Sequence, residues 1–255
     1  MHNLPDMRNI RLTISYDGTN YHGWQRQPGI ATVQTEVETA LATVLRRRTT
    51  ISASSRTDAG VHGRGQVANF RTDNAIPAER LLMALNSRLP PDIAVTEARE
   101  VLEKFDACRD AQRKWYRYRL WRSSVKPIFP ARFVWHWYRP LEIEPMQEAT
   151  RFLIGRHDFK SFEGRGSERE DTVRTLFRLD IRQEGNEVTF DIDGDGFLYR
   201  MVRNIVGTLV EVGRGHWSRE HVEQAMEARD RTAAGPTAPP QGLCLMRVWY
   251  PGETA

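Results

Sequence analysis

The chain has 255 residues, 40% of them hydrophobic and 27% charged, which supports a folded core and excludes a disordered or collagen-like chain. Its net charge of +4 is too small to name an anionic partner by itself. Of its 37 cationic residues 33 are arginine, a composition that suits phosphate and base edges but that a GC-rich codon bias also produces.

The first residues, "MHNLPDMRNIRLTISYDG", lack the long apolar stretch of a signal peptide. No apolar run reaches the 18 residues that would mark a membrane span. A cytoplasmic protein with no membrane partner is expected. "RLTISY" (11–16) alternates as a strand with Leu12, Ile14 and Tyr16 on one face, and "DGTN" turns it. Val33, Val37, Ala40, Leu41, Val44 and Leu45 then keep helical spacing behind Thr32 as N-cap. "TISAS" and "QVANF" read as strands flanking a glycine-rich loop, "SSRTDAGVHGRG". A second helix is predicted from Pro77 to Leu89, ended by Pro90 and Pro91, and "IAVTEARE" returns as a strand.

The later part keeps this rhythm. "RKWYRYRLWR" (113–122) is a strand with Lys114, Tyr116, Tyr118 and Leu120 on one face, and Trp115, Arg117, Arg119 and Trp121 on the other. A helix opens at Pro145 with Met146, Ala149 and Leu153 inward. Residues 176–193 form a hairpin turning at 184–186. Helices are predicted near 198–212 and 221–228, and "LCLMRVWYP" closes the chain as a strand. The class is α+β with largely antiparallel sheet. The polar, glycine-rich stretch 163–171 is the least ordered candidate.

Several motifs invite chemistry. "DIDGDG" places Asp191, Asp193, Asp195 and Gly196 where a calcium loop has its first ligands and its glycine, but the last ligand position is Val202 instead of glutamate. The histidines show no metal-ligand pair. Cys108 and Cys244 are far apart and form neither a zinc nor a disulfide framework. Neither a phosphate loop nor a dinucleotide fingerprint is present, so no cofactor and no metal are expected. The basic–aromatic strand 113–122 suits phosphate contact and base stacking, or is a half-buried strand with a solvated basic face. Arg200, Arg203, Asn204 and Gly207 make a polar stripe on the 198–212 helix that could hold a carboxylate or a phosphate. Asp58, beside Arg56 in the loop, is either a turn-shaping residue or a nucleophile or base.

"RTDAGVHG" around Asp58 resembles the signature of the tRNA pseudouridine synthase A family. "YDGTNYHGWQRQP", "FDA", "KWYRY", "GRHDFKSF", "FLYRMVRNIVG" and "GLCLMRVWYP" resemble that family in the same order, over nearly the whole chain. The resemblance implies a tRNA pseudouridine synthase that isomerises uridine to pseudouridine at positions 38, 39 and 40 of the anticodon arm. It assigns Asp58 as the nucleophile, Tyr116 as the residue that stacks on the base, Arg56 as the arginine of base flipping and Arg203 as the arginine that pairs with the aspartate. Trp115 departs from the family pattern.

The implied fold is two similar α/β halves with an antiparallel sheet through both, helices on one side and a cleft between. The first half, 1–105, would carry the catalytic loop; the second, 106–255, would carry Tyr116 and the arginine helix. A homodimer acting on tRNA is implied, with no small-molecule cofactor. This agrees with the chemistry. Moving the glycosidic bond from N1 to C5 needs a nucleophile, a stacking surface and an extruded base, but no redox carrier. An RNA-binding module without catalysis and a carboxylate-dependent nucleoside hydrolase are the rival readings. Isomerisation leaves RNA mass unchanged, whereas hydrolysis releases uracil.

Overall fold

A computed structural model describes residues 7–167 and 169–254. Its regular elements, in chain order, are β1 (Arg8–Tyr16), α1 (Val33–Leu45), β2 (Ser52–Ala53), β3 (His62–Thr72), α2 (Ala78–Asn86), β4 (Ile93–Val101) and β5 (Arg113–Arg122). There follow β6 (Trp135–Trp137), α3 (Ile143–Ala149), β7 (Gly155–Asp158), β8 (Val173–Glu184), β9 (Glu187–Gly194), α4 (Met201–Gly213), α5 (Glu220–Ala228) and β10 (Leu243–Trp249). The class is α+β with mainly antiparallel strands, as the alternation and helical spacing predict. Two compact units result: the chain up to Gln112 joined by the segment from Leu245 onward, and Arg113–Cys244.

In the first unit β1 pairs antiparallel with both β3 and β4. The alternation of β1 sends Ile10, Leu12, Ile14 and Tyr16 into one core with Val33, Val37 and Leu41 of α1 and Leu81 and Leu85 of α2. Burying each such side chain contributes about 1.5–3 kcal/mol. Thr32 caps α1, its side chain accepting from the Thr35 N–H at 3.3 Å. The opposite face of β1 carries Arg11, buried over the Tyr250 ring at 4.5 Å and bound to Glu253 at 2.6 Å.

Residues 106–112 belong with the first unit because Ala107 N–H donates to Asn69 Oδ1 and Tyr250 O–H donates to the Ala107 carbonyl, both at 2.8 Å. Gln112 N–H donates in turn to the Trp249 carbonyl. The chain returns to the first unit at its end.

In the second unit β5 pairs antiparallel with β9, β9 with β8 and β8 with β7, while β6 runs parallel to the end of β5. Tyr116, Tyr118 and Leu120 of β5 are buried, as are Val188, Phe190 and Ile192 of β9. Helices α3 and α4 pack closely: a Cβ added to Gly213 would lie 2.7 Å from Met146 Sδ.

Several elements depart from the reading of the sequence. α2 is shorter than 77–89, since Pro77 is extended and serves as the residue before the helix. α4 begins at Met201, not Leu198, because Arg200 takes a left-handed conformation with φ 57° that a helix cannot include. The short strands β6 and β7 carry too little alternation to be read from sequence. The stretch 163–171 crosses Glu168, which lies outside the described residues.

Candidate active site

Residues 54–61 form the loop between β2 and β3, and its backbone is tied down on both sides. Ser54 N–H donates to the Val67 carbonyl at 2.9 Å, and the buried Gln66 accepts from Ser54 Oγ and donates to the Ser55 carbonyl, each at 2.7 Å. The 16–24 segment clamps the crest. Tyr16 Oη and Thr57 Oγ1 share a hydrogen bond of 2.8 Å, Trp24 N–H donates to the Thr57 carbonyl at 3.0 Å, and Gly60 N–H donates to the Tyr21 carbonyl at 3.2 Å. Gly23 has φ 87°, and a Cβ there would sit 2.5 Å from the Thr57 oxygen, so only glycine allows this approach. His62, at the start of β3, accepts from the Gly18 N–H at 3.0 Å.

This clamp sorts the side chains by alternation. Thr57 is buried and points into the tie, whereas its neighbours Arg56 and Asp58 are exposed and half-buried. Arg56 forms no ion pair with Asp58, so its guanidinium is not spent on its neighbour. The loop thus holds one carboxylate in a fixed backbone with an arginine two residues away. Such a group can act as a nucleophile or a base.

Tyr116 and Arg203 belong to the second unit. Tyr116 lies opposite Ile192 in the β5–β9 ladder and packs edge-on against Phe197, ring centroids 5.1 Å apart. Tyr118, two residues on, is wholly buried and donates its hydroxyl to the Pro239 carbonyl at 2.8 Å. Burial pushes that hydroxyl well above the ordinary tyrosine range, against the opposing charge of Arg203.

Arg203 stands in the first turn of α4 and is 8% exposed. Its Nε donates to the Ala238 carbonyl at 2.7 Å, and its own carbonyl accepts from the Ala238 N–H. The adjacent Asn204 donates to the Phe162 carbonyl at 2.7 Å and accepts from Thr237 and Arg231. At Gly207 a Cβ would fall 1.7 Å from the Pro236 oxygen. The polar stripe of this helix is therefore packed against residues 236–238, and Arg200, outside the helix, is not part of it.

The basic face of β5 is not a free phosphate-binding surface. Arg117 makes a bidentate pair with Asp191 at 2.8 Å, Arg119 another with Glu187 at 2.7 Å, and Arg113 reaches Asp193 at 2.5 Å. The Arg119 hydrogen bonds hold the Glu187 carboxyl below its usual range. Asp191 and Asp193, the acids of "DIDGDG", are thus the counter-charges of this ladder. Trp115 belongs to it too: its Nε1 donates to Asp191 at 2.6 Å, with the guanidinium groups of Arg117 and Arg178 within 5.2 and 5.6 Å of its ring.

Sequence reasoning missed Gly23, Thr57 and Gln66, which tie the loop, and named Tyr16 only as a strand-face residue and Asn204 only as part of the helix stripe. The only sequence signal of these ties was the residues' place inside "YDGTNYHGW", "RTDAGVHG", "QVANF" and "FLYRMVRNIVG".

A family model described as tRNA pseudouridine synthase matches residues 12–108 and 149–251. Arg56, Asp58 and Arg203 lie within the matched segments and Tyr116 between them. A tRNA pseudouridine synthase A 2 of Clostridium perfringens is 44% identical over 244 residues, which is 96% of this chain and 100% of the relative. A tRNA pseudouridine synthase A of Moorella thermoacetica is 47% identical over 243 residues, 94% of this chain and 99% of the relative.

Proposed function

The chain belongs to the tRNA pseudouridine synthase family, and from that premise we propose that it isomerises uridine to pseudouridine at positions 38, 39 and 40 of the tRNA anticodon arm. The observation that carries this reading is the clamped loop: Asp58 rides on a backbone that Tyr16, Tyr21 and Trp24 hold in place within a family-matched segment.

The reaction breaks the bond from C1′ to N1, turns the uracil and joins C1′ to C5. The proton at C5 is lost and N1 regains one, so atoms and electrons balance without a carrier. In this reading Asp58 is the nucleophile that begins the exchange. A base inside a stem must leave the stack before it can react, and the exposed guanidinium of Arg56 fills the space it vacates. The ring of Tyr116 supports the loosened uracil, and Phe197 against its edge keeps that ring from turning. Arg203 supplies the cation that balances the Asp58 charge, with its own backbone and Nε fixed on Ala238.

On the same resemblance the protein acts as a homodimer in the cytoplasm. Among the described residues no helix is long and apolar enough to cross a membrane. Light scattering at working concentration would check the dimer, and a monomer mass would refute it.

The central test is incubation with an unmodified tRNA transcript, followed by carbodiimide mapping and intact-mass measurement. Carbodiimide-reactive positions at 38–40 with unchanged mass are expected. Free uracil would identify a hydrolase, and tight binding without either change would identify a binding module.

A further inference from the structure

We propose that Arg165, Arg200 and Arg231 of the second unit form a phosphate-binding patch that grips the backbone of the RNA substrate. This rests on the reading of the protein as an RNA-modifying enzyme. Three links bring the arginines together. Gly164 N–H donates to the Tyr199 carbonyl at 2.7 Å, which draws Arg165 to the residues before α4. Arg200 lays its guanidinium over the Tyr199 ring, 4.8 Å from the centroid. Arg231 donates to Asn204 Oδ1 at 3.0 Å, and Asn204 N–H donates to the Arg200 carbonyl at 2.9 Å.

The charges in this group are not offset as they are on β5. None of the three arginines is ion-paired with a described carboxylate. Arg231 directs its hydrogen bonds to neutral oxygens, those of Ala234, Asn204 and Thr237, three of the five donors a guanidinium has. Burial, and then the nearness of Arg165 and Arg200, push Arg231 below the usual arginine range. Two acids next to these arginines in sequence have hydrogen-bond partners of their own. Glu163 is buried and bound to Lys160 at 2.8 Å. Asp230 accepts from the Thr232 N–H at 2.8 Å, and Thr232 first, with a smaller contribution from the charge of Arg165, holds its carboxyl below the usual range.

Like charges held together in this way are costly for the protein alone and favourable once an anion arrives. The first turn of α4 adds to the positive field, since it holds no acidic residue. A ring under one guanidinium keeps it extended, and Arg165 and Arg200 are exposed. Phosphodiester oxygens are the anions this arrangement fits, and RNA supplies them in series.

The test uses the full-length protein and an unmodified tRNA transcript, with binding and isomerisation read separately. Arg165→Ala with Arg200→Asn removes two charges; asparagine tolerates the left-handed backbone at 200, and Arg231 is left in place because it also holds the 234–237 segment. Circular dichroism verifies folding. Removing one phosphate partner lowers the slope of log affinity against log salt by about 0.7–0.9. The double variant should therefore show a slope shallower by about 1.5 and bind about tenfold more weakly at low salt. Isomerisation at subsaturating tRNA should fall in step with affinity. Arg165→Lys with Arg200→Lys should restore most of the slope. A slope unchanged to within about 0.3, in a wild-type protein that isomerises tRNA, overturns the patch and leaves the enzyme reading intact. A wild-type protein that binds tRNA with a normal salt slope but forms no pseudouridine overturns the enzyme reading, while the variant slopes still decide the patch.

Discussion

The hydrogen bond between Tyr16 and Thr57 is the contact on which the placement of Asp58 can be tested most cleanly. Both residues are buried, 4% and 7% exposed, and their oxygens are 2.8 Å apart. Tyr16→Phe removes the phenolic hydroxyl and leaves the Thr57 hydroxyl buried without that partner. An unsatisfied buried group of this kind costs about 1–3 kcal/mol. Thr57→Val makes the converse change. The double variant replaces both partners with apolar groups of similar shape, which is close to neutral for the bond itself. The pair should therefore show a coupling of about 1 kcal/mol in urea unfolding, the double variant being more stable than the sum of the singles. Activity should follow the placement of the loop. Because residue 57 is adjacent to the proposed nucleophile, a small backbone shift should lower kcat about tenfold, near 1.4 kcal/mol, with tRNA affinity held. Single-turnover pseudouridine formation measures it. Coupling below about 0.3 kcal/mol, with kcat within twofold of wild type in all three variants, would refute the clamp.

Asp58→Asn should abolish turnover while tRNA binding stays within a few-fold; residual activity within about tenfold of wild type, near 1.4 kcal/mol, means that Asp58 is not the nucleophile. Tyr116→Ala should weaken the reaction by the loss of stacking, about 1–3 kcal/mol, whereas Tyr116→Phe keeps the ring and should retain most activity; equal losses in single-turnover assays would show that the hydroxyl matters and the ring does not. The Glu187 carboxyl, held below its usual range by Arg119, stabilises the fold above the ordinary carboxylate value and loses that contribution as pH falls through its lowered folded value. In urea unfolding across the acid range, Arg119→Met should accordingly be less stable than wild type near neutrality and converge with it in acid, and a constant gap would refute the pairing. Gly207→Ala places a Cβ 1.7 Å from the Pro236 oxygen and should destabilise by about 1–3 kcal/mol or more; an unchanged melting temperature would show that the 236–238 segment yields freely.

What could be read in advance depended on how local the determining physics was. The alternation of "RLTISY" and the spacing of Val33, Val37, Leu41 and Leu45 each decide their own element, because one buried face suffices to specify a period. β1 and α1 accordingly share the core that their apolar positions predict. The start of α4 was not legible because it depends on one backbone angle, that of Arg200, and arginine carries no sequence signal for a left-handed residue. The return of the last strand to the first unit is a matter of long-range hydrogen bonds, such as Tyr250 to Ala107, that no local pattern contains.

The arginines show the same limit in chemical form. From sequence, "RKWYRYRLWR" and the scattered Arg165, Arg200 and Arg231 differ only in density, and density favours the strand as the phosphate-binding element. The fold reverses that order. On β5 the antiparallel register sets Arg117 directly across from Asp191 and brings Arg113 and Arg119 within reach of Asp193 and Glu187 on the same neighbouring strand, so strand neighbours that carry opposite charge neutralise one another before any ligand arrives. Near α4, residues 35 and 31 positions apart, at 165, 200 and 231, converge with no described carboxylate paired to any of them. Whether an arginine is available to RNA is thus decided by the carboxylates that the fold brings within its reach, which is a property of pairing and not of composition. A count of basic and aromatic residues therefore cannot distinguish a structural ladder from a recognition surface, whereas the carboxylates that each guanidinium touches do.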